Sequence, residues 1–128
     1  MTAMSNSTAM RNLAEMPVRQ IWDGVFARLV EGAGLTLAVV EIAPGRRVPE
    51  HSHVNEQLGF VIQGSVTFTI GGQTLALGPG GTWQIPASVP HHVEVGPDGA
   101  IVAEAYAPAR DDWARLESLD PVPPRWPA

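Results

Sequence analysis

Glycine and proline divide this chain into short segments, and this spacing limits the fold more than any other feature. The 128 residues include 13 glycines and 12 prolines, scattered along the whole length. Short runs with β-strand character, five to nine residues long and separated by turn signals, are typical of an all-β sandwich or barrel. The runs that we assign to strands are 17–23, 25–31, 35–43, 57–64, 65–72, 73–78, 82–86, 91–95 and 100–106.

Two turns are predicted in the middle of the chain. The sequence FVIQGSVTFTI indicates a tight hairpin around Gly64 and Ser65, and the pair Gly71–Gly72 indicates the next turn. Strands do not alternate with helices along the chain, so a parallel α/β sheet is not expected.

The C-terminal part predicts one helix followed by an extended tail. Over residues 110–119 apolar side chains recur at helical spacing, and the prolines that begin at 121 end the helix. We therefore divide the chain into a flexible N-terminal arm (1–16), a barrel with the C-terminal helix (17–119) and a Pro-rich tail (120–128). The alternative for the arm is a segment that orders only in an oligomer.

Composition excludes several classes of protein. The net charge is −5, with eight arginines and no lysine, so no basic surface for nucleic acid or an anionic membrane is expected. Without cysteine there can be neither a disulfide nor a thiolate metal site. No apolar run is long enough to span a membrane, and residues 1–16 lack the apolar segment of a signal peptide. We expect a soluble cytoplasmic protein.

The stretch 51-HSHVNEQLGF-60 predicts a metal site. His51 and His53 are two residues apart, so on a strand both rings point to one face, and Gln57 follows at an even separation. His91 opens a later strand and can supply another ligand. A lone histidine is usually an ordinary surface or core residue, but a His-x-His pair in a protein built of apolar strands favours a metal. Neutral imidazole suits Zn, Cu, Fe and Ni.

Two longer segments resemble the cupin motifs. The segment 45-GRRVPEHSHVNEQLGFVIQG-64 resembles the first motif, and 80-GGTWQIPASVPHHVEV-95 resembles the second. The resemblance implies a small jelly-roll barrel, the double-stranded β-helix, with one divalent ion (Zn, Ni, Mn, Fe or Cu). The implied ligands are His51, His53, Gln57 and His91. The family usually has glutamate at the position of Gln57 and asparagine at the position of Val95.

A narrower resemblance concerns function. The segments 51–64, 85–94 and 104–113 are similar to the pectin-degradation cupins, which use glutamine as a ligand and convert unsaturated uronic acids to linear keto forms. The resemblance places an acidic residue and an aromatic over the metal, which are Glu104 and Tyr106 here, where the family more often has Asp and Phe. Arg110 is a candidate for binding a substrate carboxylate, but a pair with a neighbouring aspartate is an equal alternative.

Three functions follow as hypotheses. With four neutral ligands a divalent ion keeps its full +2 charge, which favours Lewis-acid chemistry, an isomerisation or tautomerisation, on a small oxygenated acid. A metal-dependent dioxygenase and a non-catalytic small-molecule binder are the alternatives. We also predict a homodimer, because Leu58, Phe60 and Ile62 form an apolar outer face. Glu56 and His92 are expected to point away from the site.

Overall fold

Two long antiparallel strands form the centre of the fold. A computed structural model describes residues 9–127. These two strands, β5 and β8, pair with each other along most of their lengths. Within residues 9–127 a 3-10 turn, Leu13–Glu15, precedes the sheet, and one short helix, α1 (Asp111–Ala114), follows it. The strands are β1 (Arg19–Trp22), β2 (Val25–Glu31), β3 (Thr36–Ile42), β4 (Arg47–His51), β5 (Glu56–Ile70), β6 (Gln73–Leu77), β7 (Thr82–Ile85) and β8 (His91–Ala107).

Because β5 and β8 are so long, each belongs to both layers of the sheet. The first half of β5 pairs with β7 and its second half with β6. The first part of β8 pairs with β4 and its last part with β3, which continues to β2 and β1. The strands wrap around one apolar core as a double-stranded β-helix, so the predicted fold is confirmed. Core residues include Val25, Ala27, Leu29, Ala38, Val40, Ile42, Val61, Val66, Phe68, Ile85, Val93 and Val102.

The predicted hairpin around Gly64 and Ser65 is wrong. Instead of reversing at a turn, the chain continues as β5, and its register against β8 shifts on each side of Gly64. Gly64 has a φ of +79°, and a Cβ there would collide with the carbonyl of Gly99. The glycine therefore allows a β-bulge that bends a long strand from one layer into the other. The turn at Gly71–Gly72 is confirmed, since Ile70 pairs with Gln73 across it.

The predicted helix over 110–119 is also wrong in length, because α1 has four residues. Val18 and Arg19, near the N-terminal edge of the sheet, form hydrogen bonds with the rest of the segment. The Leu119 amide donates to the Val18 carbonyl at 2.7 Å, and Arg19 donates to the Leu116 carbonyl at 2.6 Å. Such tertiary bonds override local helix propensity. Within residues 9–127 there is no helix with the length and apolar character that a membrane crossing requires.

The Pro-rich tail lies against the outer side of β2 and β3. Arg28 is buried there and donates to Glu41 at 2.9 Å and to the Val122 carbonyl at 2.7 Å. The amide of Arg125 donates to the same Glu41 carboxylate at 3.0 Å. The tail therefore covers part of the outer face of the sheet. Of the predicted N-terminal arm, residues 1–8 lie outside the described residues, whereas Met16 is buried.

The rest of this outer face stays uncovered and apolar. Leu58 is 47% exposed, Phe60 46% and Leu37 43%, with Ala103 and Ala105 between them on β8. These residues line a groove of about 450 Å³. A continuous apolar patch of this kind is typical of a protein–protein interface.

We expect a homodimer through this face. A Leu58→Glu/Phe60→Glu double variant should be monomeric, because two charges would have to be buried in the interface. The matched control is Leu75→Glu, at a leucine of β6 that is 65% exposed but lies outside the groove. Light scattering gives the mass of each. A wild-type mass equal to one chain at micromolar concentration would contradict the prediction.

Candidate metal centre

Three histidines converge at one end of the barrel. His51 is the last residue of β4 and pairs in register with His91, the first residue of β8. His53 lies in the loop between β4 and β5. One ring nitrogen from each of the three lies within 4.8 Å of the others. The cluster is therefore positioned to hold a metal ion.

Hydrogen bonds fix the orientation of each imidazole. In all three rings Nδ1 lies 2.9–3.0 Å from the carbonyl oxygen of a residue two positions away along the chain. Donation from Nδ1 leaves a lone pair on Nε2, which is the atom then free to bind a metal. Such contacts to carbonyl oxygens orient metal-binding histidines in known sites.

Gln57 is the fourth member of the cluster, and its contact with His53 shows whether a metal fits the site. Its Oε1 lies 3.1 Å from Nε2 of His53. When His53 donates through Nδ1, both of these atoms are acceptors, and a cation between them removes the repulsion of their lone pairs. Among the described residues, Nε2 of His91 also has no hydrogen-bond partner although it is buried. Both observations fit a divalent ion.

The protonation states suit metal binding. Burial lowers the pKa of His91 from 6.5 to about 4. Burial and, after it, the nearby charge of Arg110 lower the pKa of His53. Both rings are therefore neutral at pH 7, which is the form that coordinates a metal.

Glu104 and Tyr106 lie beside the histidines on β8, with both side chains turned inward. Glu104 is 8% exposed and accepts two hydrogen bonds, from Gln57 Nε2 at 2.6 Å and from the Tyr106 hydroxyl at 2.7 Å. Burial raises the pKa of Glu104. Burial and then the Glu104 charge raise the pKa of Tyr106, so the phenol keeps its proton. Gln57 thus connects the histidine cluster to a buried carboxyl group.

Arg110 is not on the wall of the cavity. Its guanidinium carbon lies 3.9 Å from the Trp113 ring centroid and 4.8 Å from that of Tyr106, behind these two rings. Nε donates to Asp112 Oδ1 at 3.0 Å and a terminal nitrogen donates to Oδ2 at 2.8 Å. The Nε edge of the guanidinium is therefore paired with Asp112, the alternative that the sequence left open.

The cavity beside the cluster is small, and the sequence did not predict all of the residues that line it. Its volume is about 50 Å³, and below the histidines its lining is mainly apolar. Trp22, from β1, lies at its mouth with its ring centroid 5.5 Å from that of His51. No local pattern marks Trp22, because the closure of the barrel makes this contact. Glu56 is exposed, and His92 faces Glu50 at 3.9 Å, away from the cluster.

Comparison with known proteins agrees with this architecture. The Cupin domain family matches residues 38–102, half of the chain. An RmlC-like cupin from Shewanella frigidimarina superposes with a TM-score of 0.77 and 21% identity, over 83% of this chain and 96% of the other. KdgF from Halomonas sp. gives 0.77 and 21%, over 83% and 98%. Oxalate decarboxylase from Bacillus subtilis gives 0.65 and 21%, over 81% of this chain but 31% of the other. No curated protein matches.

Proposed function

This chain belongs to the cupin family, and we propose that it is a metal-dependent enzyme that isomerises or tautomerises a small oxygenated acid. One observation carries the proposal. Gln57 faces the histidine cluster with its oxygen and donates from its nitrogen to the buried carboxyl of Glu104. A set of metal ligands in direct contact with a buried acid/base group supports catalysis better than storage or simple binding.

The roles of the residues follow from their positions. His51, His53, His91 and the Gln57 oxygen would hold the ion. A divalent ion held by four neutral ligands supplies Lewis-acid polarisation of substrate oxygens. Glu104 moves the proton, because an enol can become a ketone only when a proton is delivered to carbon. The hydrogen bonds that Glu104 accepts fix its orientation.

The substrate class that we propose is an unsaturated uronate. The support is the resemblance of residues 104–113 and of the glutamine ligand to the pectin-degradation cupins. Ring opening releases an enol, and tautomerisation of this enol to the ketone removes the conjugated double bond, so loss of ultraviolet absorbance from unsaturated galacturonate measures the two steps together. A dioxygenase would consume O₂ with the substrate, and a binder would retain the substrate unchanged. Absence of ring opening by metal-loaded protein would contradict the uronate proposal.

The neutrality of Gln57 leads to a prediction. In Gln57→Glu the new carboxylate would lie within hydrogen-bond distance of Glu104, where an amide now donates at 2.6 Å. Two carboxyl groups in contact share a proton and shift each other's pKa, and the added charge weakens the polarising power of the ion. We expect turnover to fall about ten-fold or more, because a change of one unit in the pKa of the carboxyl pair changes its protonation equilibrium ten-fold. Metal content should stay the same or rise.

The control for this variant is Gln63→Glu, the same change at an exposed position of β5 outside the apolar groove. It should leave both turnover and metal content at the wild-type level. Elemental analysis and the absorbance assay measure the two quantities. A faster Gln57→Glu enzyme would refute the argument from neutrality.

A further inference from the structure

We propose that Trp22 is a binding surface for the sugar ring of the substrate, on which the apolar face of the ring packs while its oxygens point to the histidine cluster. This inference deepens the proposed function and rests on it for the substrate class. It is supported by the size of the cavity, the position of the indole and the exposure of the indole relative to the other aromatic residues of the lining.

The size of the cavity decides where a ring can lie. Sites that enclose drug-sized ligands have volumes of roughly 300–1,000 Å³. The cavity beside the histidines has about 50 Å³, room for only a few water-sized groups, since one water requires about 10–15 Å³. A six-membered uronate ring therefore stays at the mouth, and only a substituent can enter the barrel.

Trp22 is the most exposed of the aromatic side chains that line the cavity. Its residue is 37% exposed, and the indole lies beside His51 at a centroid distance of 5.5 Å. Trp113 also lines the cavity, but it is less exposed than Trp22, and one face of its ring packs on Arg110 at 3.9 Å. A pyranose has a face of C–H bonds, and packing this face on an exposed indole removes apolar surface of both from water.

The local fold holds Trp22 in place. It ends β1 directly before the turn at Asp23 and Gly24, and Asp23 forms an ion pair with Arg46 at 2.8 Å. Gly24 has a φ of +74°, and a Cβ there would lie 2.7 Å from Nε of Arg46. The turn can pack on Arg46 because position 24 is glycine. An indole on such an anchored turn loses little freedom when a ring packs against it.

The experiment compares two ligands on Zn²⁺-loaded protein by titration calorimetry. D-galacturonate presents a ring with a C–H face but lacks the double bond that the proposed reaction requires. Oxalate chelates a metal and has no C–H face. The variants are Trp22→Ala and Trp22→Phe, with Trp126→Ala as the matched control, because Trp126 is equally exposed at 37% and does not line the cavity.

We expect Trp22→Ala to weaken galacturonate binding roughly three- to ten-fold, from the usual energy of aromatic contacts. Trp22→Phe should lose less, and Trp126→Ala should lose nothing. Oxalate affinity and zinc content should be unchanged in all three. Equal galacturonate affinity in Trp22→Ala and wild type would overturn the inference. So would an equal loss for oxalate, which would indicate a disturbed His51, or a wild type that binds oxalate but not galacturonate.

A turnover assay with unsaturated galacturonate distinguishes a failure of this inference from a failure of the proposed function. If galacturonate binding depends on Trp22 but unsaturated galacturonate is not opened, the proposed reaction fails and the ring-binding role of Trp22 stands.

Discussion

Glu104→Gln should lower the turnover of an unsaturated uronate about 10²- to 10⁴-fold, the usual contribution of a well-placed general acid–base group. The carboxyl group is buried next to the ligand set, and burial raises its pKa. A carboxyl with a pKa raised toward neutrality can both release and recover a proton at physiological pH. Glutamine at 104 cannot exchange a proton in this way, so the loss falls on the proton-transfer step.

The substitution suits the site because glutamine can keep both hydrogen bonds. Its oxygen can accept from Gln57, and its amide nitrogen can donate to the Tyr106 oxygen, since a phenol both donates and accepts. Metal content should therefore stay at the wild-type level. The matched control is Glu94→Gln on the same strand, where the side chain is exposed. This control should keep full turnover.

The stability of the variant distinguishes lost chemistry from lost structure. A carboxyl whose pKa is higher in the folded protein than in the unfolded chain stabilises the fold at low pH, and this contribution disappears as pH rises through the folded-state pKa. Glu104 has such a raised pKa. Thus Glu104→Gln should unfold at the same or a higher temperature than wild type at neutral pH. A fully active variant with wild-type metal content would refute the acid/base role.

The histidine cluster could be predicted because short sequence motifs mark each of its members. His51 and His53 are two residues apart, and His91 follows a turn that the motif spacing makes recognisable. His53 follows the end of β4 and lies in a loop, yet its ring still reaches the cluster. Spacing indicated which residues meet, but not the backbone that brings them together.

The errors have a common physical cause, which is that distant partners decide between local alternatives. A glycine with positive φ serves a turn or a bulge equally well, and at Gly64 the pairing with β8 selects the bulge. Helix propensity over 110–119 competes with hydrogen bonds to Val18 and Arg19, which are far away in the sequence. The contact between Trp22 and His51 likewise exists only after the barrel has closed.

Replacing His51 and His53 together with alanine should remove the bound metal and reduce turnover to background. The double variant deletes two of the three ring nitrogens that lie within 4.8 Å of one another. A single imidazole and an amide oxygen cannot hold a divalent ion against water, because tight protein sites for such ions need three or four ligands. Loss of activity here exceeds that of Glu104→Gln, since substrate orientation and polarisation both depend on the ion.

The sharpest control for the double variant is His92→Ala. His92 is adjacent to a proposed ligand, but it faces Glu50 and not the cluster. Elemental analysis of the proteins, purified in parallel, should give about one divalent ion per chain for wild type and His92→Ala and almost none for the double variant. Equal metal in all three would mean that the ion is bound elsewhere. The proposed chemistry would then lose its site, because Gln57 and Glu104 could act only on an ion held by these histidines.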